Sequence, residues 1–150
     1  MLNKLKIKTT SEYAISINRK ATSNDKLVYV AVANKAIKYP KGDSKIVYIG
    51  TTKNGAYRVA TSAAQKAFEK LFDHGVNCLF FYVITCTPRN GVKTWYKLER
   101  ALLIRFREIF DSPPELNSHG VKMKWTNEKD LFTQSKLDKV IKYYSVIKND

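Results

Sequence analysis

The sequence predicts an α+β fold in the order β-β-α-β-α, with an extra helix at its C-terminal end. Three observations carry this. Residues 27–33 and 44–50 are apolar, β-branched and aromatic runs separated by turn chemistry, which reads as a hairpin. Residues 78–86 form an unbroken apolar run. The stretches after Gly55 and after Lys93 repeat their apolar residues with helical period. At 150 residues and 44% hydrophobic content the chain suits one domain with its own core. It divides into an N-terminal extension (1–26), a core (27–120) and a C-terminal helical appendage (121–150).

Taken in order, residues 1–26 hold two short apolar stretches, Leu5 to Ile7 and Tyr13 to Ile17, which suit an edge strand or a short helix, followed by a turn signal at Thr22-Ser23-Asn24-Asp25. Leu27 to Ala33 is a strand. Asn34 to Asp43 is expected as a loop, turning at Tyr39-Pro40-Lys41-Gly42-Asp43, and Ser44 to Gly50 is the second strand. One helix from about Gly55 to Phe72 has its apolar side on Tyr57, Ala60, Ala64, Ala67, Phe68, Leu71 and Phe72, with Arg58, Ser62, Gln65 and Glu69 as a polar flank. Gly75 stops it in the C′ role. The run from Cys78 to Cys86 lacks alternation and is expected as a central strand buried on both faces. After the turn at Pro88-Arg89-Asn90-Gly91, a helix over 93–110 places Trp95, Leu98, Leu102, Leu103, Phe106, Ile109 and Phe110 on its apolar arc. Residues 127–148 are the last helix.

Charge points to the partner. There are 27 Lys and Arg against 13 Asp and Glu, a formal charge of +14, spread over the whole chain and not gathered into a tail. A polyanion, nucleic acid above all, is the partner such a surface attracts. No run approaches the roughly 18 apolar residues of a membrane span, and no secretory signal is visible, so the expected setting is soluble and cytoplasmic. Cys78 and Cys86, in one strand, would stand about 27 Å apart, too far for a mutual disulfide, and are expected as buried small hydrophobes.

Four features stand out chemically. Tyr48-Ile49-Gly50 ends a strand, and Arg58 lies ten residues later on the following helix. Glu99 falls inside an apolar arc, where a carboxylate needs a partner because an isolated buried charge costs several kcal/mol or more. Either a salt bridge to an interior cation or a place in a cleft, as metal ligand or catalytic group, supplies one. Asn117 rides a loop stiffened by Pro113 and Pro114.

Together these residues resemble the GIY-YIG nuclease family: Val28-Tyr29-Val30 in the first strand, Tyr48-Ile49-Gly50 in the second, then Arg58, Glu99 and Asn117, over about residues 27–120. The resemblance implies a three-stranded antiparallel sheet flanked by helices and a metal-dependent DNA endonuclease, restriction-like or structure-selective. It implies one divalent ion, Mg²⁺ or Mn²⁺, held by Glu99. Tyr48 would act on the attacking water, Tyr29 would help place it, Arg58 would bind the scissile phosphate, and Asn117 would secure the site by hydrogen bonding. Lys45, Lys53, Arg58 and Ser62 are the candidate nucleic-acid contacts. Pairing of two chains to cut both strands stays open.

The chain also departs from the family pattern. Leu27-Val28-Tyr29 replaces Gly-Ile-Tyr, and the tyrosines stand 19 residues apart, which implies an insertion at 34–43. Thr51 and Ser62 occupy positions where some members have lysine and histidine, and Lys53 is the candidate replacement cation. The competing reading is a non-catalytic basic nucleic-acid-binding module on a degenerate fold of the same kind.

Overall fold

The structure, a computed structural model, describes residues 4–12, 14, 16, 18, 24–118 and 120–149. Its centre is a long hairpin. Strand β1 (Leu27–Tyr39) pairs antiparallel with β2 (Gly42–Thr52) on one side and with β3 (Leu79–Ile84) on the other, giving a three-stranded antiparallel sheet in the order β2-β1-β3. Between β2 and β3 the chain forms α1 (Ala56–Ala60), α2 (Ala63–Ala67) and a 3₁₀ stretch over Phe68–His74. Helix α3 (Thr94–Phe110) follows, then α4 (Glu128–Leu131) and α5 (Gln134–Val146). The α+β class and the element order stand as the sequence predicts.

The first strand, not the third, is central. Leu27 to Ala33 is fully buried between its two neighbours. The apolar run of β3 is an edge strand, half-buried, with Val83 38% exposed. Its covering is partial on both faces: Phe81 meets Tyr29 at 6.2 Å and, on the other face, Tyr82 packs on Tyr144 of α5 at 5.1 Å between ring centroids. Unbroken hydrophobicity overstated its burial, and Cys78 and Cys86 at its ends are likewise partly exposed.

The expected loop at 34–43 is strand. Past two register shifts the hairpin continues through Ile37↔Ser44, Lys38↔Asp43 and Tyr39↔Gly42, closing on the two residues Pro40-Lys41. Ile37 and Tyr39 are buried and Lys38 is exposed, the period-2 pattern of a half-covered strand. Tyr39 packs against Phe106 and Phe110, its hydroxyl donates to the Ile46 carbonyl (2.8 Å), and Lys41 N–H donates to the Phe110 carbonyl (3.2 Å). The insertion is therefore a strut bound to the C-terminal end of α3.

The helix expected over 55–72 is broken in two and finishes as 3₁₀. Thr61 turns its hydroxyl onto the Arg58 carbonyl, and Ser62 takes extended backbone (φ −67°, ψ 157°) as the N-cap of α2. Short polar side chains compete with helix in this way. The break rotates the apolar side, so Val59 is buried and Tyr57 is 69% exposed. Gly75 does end the segment in left-handed backbone (φ 72°).

Helix α3 lies against β2 and β1 and beside α5. Its buried arc includes Ala101 and Ile104 because α4 and α5 cover it from another side. The last helix is interrupted at Phe132-Thr133, and α5 contributes Leu137 and Ile141 to the same core as the sheet. A hydrogen bond between buried Ser44 and Ser145 (2.7 Å) and the Arg105–Asp138 ion pair (2.6 Å) tie it down. The helices of this C-terminal segment thus pack into the same core as the sheet. Of the N-terminal extension, residues 4–12 are neither strand nor helix and leave Leu5 and Ile7 exposed. The stretch 13–17 and the turn at 22–25 fall partly outside the described residues. Among the described residues no helix is long and apolar enough to cross a membrane.

Candidate active site around Tyr29, Tyr48 and Glu99

The hairpin brings the two tyrosines together. Tyr29 pairs with Gly50 and Ala31 with Tyr48, so both rings rise from one face of the sheet on a diagonal. They stack at 5.9 Å between centroids and 27° between planes. Gly50 makes this possible, since a Cβ there would stand 2.7 Å from atoms of both tyrosine rings. The glycine is the floor on which the pair rests.

The pair is electrostatically asymmetric. Burial pushes both hydroxyls above the usual phenol range, and the nearby Glu99 charge pushes in the same direction. The interaction between the two hydroxyls raises Tyr29 and lowers Tyr48, so of the two Tyr48 is the one whose loss of a proton the pair opposes less. Arg58, exposed on α1, lowers both. Arg58 and Glu99 thus both act on the two tyrosines, in opposite directions.

Glu99 lies on α3, 8% exposed. Burial raises its carboxyl to about 7, only partly opposed by Arg100. The salt bridge to an interior cation is not what forms: among the described residues no cation pairs with Glu99. Arg100 Nε turns away to Glu128 Oε1 (2.8 Å). Glu128, with 0% exposure, also accepts from Thr126 N–H (2.7 Å) and Oγ1 (2.9 Å) and from Lys97, and these hydrogen bonds override its burial and bring it to about 2. One buried carboxylate is saturated and the other is left with unused acceptor capacity. Among the described residues there is no cluster of three or more His, Cys, Asp or Glu that could hold a metal ion.

Asn117 is buried and bidentate on one backbone unit: its Oδ1 accepts from Ile49 N–H (3.0 Å) and its Nδ2 donates to the Ile49 carbonyl (2.9 Å). Leu116 N–H donates to the Val47 carbonyl beside it (2.8 Å). Because β2 is an edge strand, these bonds close its open side and fix the segment Tyr48-Ile49-Gly50. Both Asn117 bonds go to the strand backbone.

The remaining candidates divide. Lys53 is exposed in the turn after β2, but Arg58, not Lys53, is the cation that lowers the tyrosines. Thr51 is occupied, its hydroxyl donating to the Leu27 carbonyl (2.8 Å). Ser62 is 4% exposed with its hydroxyl unpartnered among the described residues, so it does not stand on the surface flank with Arg58 and Gln65. Lys45 is half-buried and its ammonium donates to the Ile147 carbonyl (2.8 Å), tying the end of α5 to β2. The sequence reading overlooked Gly50 as the seat of the tyrosines and the Glu128 anchor, which a scan for a second acidic residue near the basic residues of α3 would have raised. A groove of about 490 Å³ between β3 and α5, lined by Val83, Thr85, Lys139 and Tyr143 among others, shares no residue with the tyrosine site.

No protein-family model matches the chain, and no curated protein or solved structure matches it.

Proposed function

We propose that the protein is a metal-dependent endonuclease that hydrolyses DNA phosphodiester bonds at the Tyr29–Tyr48–Glu99 site. The observation that carries this is the buried Glu99 carboxyl, unpaired among the described residues, whose charge and that of Arg58 both act on a stacked tyrosine pair. A buried acid that folding leaves without a cation suits a cation that arrives with the substrate. Glu99 would hold a hard divalent ion, Mg²⁺ or Mn²⁺, as an oxygen ligand, the donor type such ions take. Bound there, such an ion supplies charge that stabilises the leaving 3′-oxygen and favours a phenolate nearby.

The chain's own groups do the rest. Tyr48, in its phenolate form, takes the proton of the attacking water and becomes the neutral phenol. Tyr29 holds the Tyr48 oxygen and the water in place. Arg58, exposed and with its guanidinium fork free to meet two phosphate oxygens, binds the scissile phosphate as charge builds there. A P–O bond to water forms and the P–O3′ bond breaks, leaving a 5′-phosphate. The net charge of +14 draws DNA to the surface irrespective of sequence.

The test is supercoiled plasmid incubated with Mg²⁺ or Mn²⁺. Nicking or linearisation is expected, with Glu99→Gln losing at least roughly 100-fold of the rate while keeping its DNA affinity and a thermal midpoint no lower than that of the wild type. Binding without cleavage on plasmid, branched and single-stranded DNA alike would overturn the enzyme in favour of a binding module.

A further inference from the structure

One aromatic side chain stands apart from the core beside this site. Trp95 is half-buried, yet among the described residues it is not part of the hydrophobic cluster, unlike Trp125, which packs against it. It lies four residues ahead of Glu99 in α3, so the two side chains share a helix face one turn apart, about 6 Å between their Cβ atoms. The ammonium of Lys26 sits over the Trp95 ring, 4.9 Å from its centroid. Lys26 directly precedes β1, three residues before Tyr29, and its neighbour Asp25 accepts a hydrogen bond from Gly55 N–H at the entry to the Arg58 helix (2.9 Å). The Lys26–Trp95 contact therefore joins the chain beside the entry to the Arg58 helix to the helix that carries Glu99.

We propose that Trp95 and Lys26 form a nucleotide subsite flanking the scissile phosphate, in which the indole stacks on an unpaired base and the ammonium meets its phosphate. The substrate is then DNA with an unpaired nucleotide next to the cut, as in a single strand, flap or bubble. An indole gains from a base only where the face of that base is open, and duplex stacking closes both faces. Lys26 is exposed, so its ammonium can leave the Trp95 face for a phosphate and open that face to a base; basic groups beside an aromatic platform are the combination that single-strand binders use. This inference rests on the nuclease reading for its word "scissile", but not for the stacking itself.

The experiment measures binding and cleavage separately. In a Trp125→Phe, Glu99→Gln background Trp95 is the one remaining tryptophan, since the chain has two. Its fluorescence is titrated with a short single-stranded oligodeoxynucleotide and with the blunt duplex of the same sequence. Saturable quenching by the single strand and none by the duplex is expected. Trp95→Ala, read by fluorescence anisotropy of labelled DNA, weakens single-strand binding roughly 10- to 100-fold, the weight of one base–aromatic stack, while duplex affinity is unchanged and Trp95→Phe restores most of the loss. Lys26→Ala lowers affinity for both and flattens the salt dependence by about one phosphate contact. Absence of quenching by the single strand, or equal weakening of both substrates by Trp95→Ala, overturns the subsite. Quenching with no cleavage by the Glu99-intact chain leaves the subsite standing and fells the nuclease, whereas Glu99-dependent cleavage without any Trp95 effect does the reverse.

Discussion

Glu99 and Glu128 are both buried acids near the N-terminal half of α3, and their partners set them in opposite states. Glu128 is ionised down to about pH 2 because hydrogen bonds outweigh its burial, whereas Glu99 holds its proton to about 7 because little opposes its burial. This has a measurable sign. The carboxyl of the unfolded chain loses its proton near 4.5, so between there and about 7 the folded chain binds more protons than the unfolded one. Stability therefore falls as pH rises through that window and levels off above it. A shift of that size amounts to roughly 3 kcal/mol as an upper figure, at about 1.36 kcal/mol per unit. Glu99→Gln is expected to match wild type at about pH 4 and to exceed it by roughly 2–3 kcal/mol at about pH 8 in urea unfolding without divalent ions, and saturating Mg²⁺ is expected to narrow the gap. Taking the difference between the two chains cancels every other titration. An equal stability gap at both pH values would show that Glu99 is not held protonated by the fold.

The elements around the site explain what could be read in advance. A strand ending in Tyr-Ile-Gly, an arginine on the next helix and an acid on an apolar arc are local patterns, and the hairpin brings the tyrosines into contact through its register alone. The role of Asn117 comes from the order of strands, which sequence does not display. Only because β2 is an edge does an asparagine have an open backbone unit to fill, and the same ordering made β3 an edge despite its unbroken apolar run. Replacing Asn117 with Ala leaves the Ile49 N–H and carbonyl without partners, and unsatisfied buried groups cost about 1–3 kcal/mol each. Asn117→Ala is expected to lower stability by roughly 2–4 kcal/mol and to reduce cleavage by about 10-fold or more at a temperature where the fold is still intact, through loss of tyrosine alignment. Asn117→Asp keeps the acceptor but sets a carboxylate against the Ile49 carbonyl, so it is expected to be worse than Ala. Full activity in either folded variant would remove Asn117 from the site.

For the chain as a whole, the parts that composition and periodicity made look peripheral are structural. Residues 34–43 read as a loop because Asn, Lys and Pro interrupt the apolar pattern, yet the Ile37 and Tyr39 alternation carries the hairpin on to the far end of α3. That end is about 16 Å along the helix from Glu99, so the insertion supports the fold remote from the chemistry. The C-terminal helices look detachable because a lysine-rich amphipathic stretch is also the pattern of a surface arm. What decides is that Leu137 and Ile141 reach the common core and that Glu128 anchors Lys97 and Arg100 of α3. If α5 were only a DNA-binding arm, Leu137→Ala would be nearly silent in stability. As a core position it is expected to cost about 2–4 kcal/mol, with the cleavage rate of the folded fraction unchanged because α5 contributes no group to the tyrosine site. Truncation after residue 126 removes both helices and is expected to abolish cooperative unfolding, read by circular dichroism, so DNA affinity measured on such a fragment reports an unfolded basic chain. A truncated chain that unfolds cooperatively and loses only DNA affinity would restore the appendage and move α5 from the core to the interface.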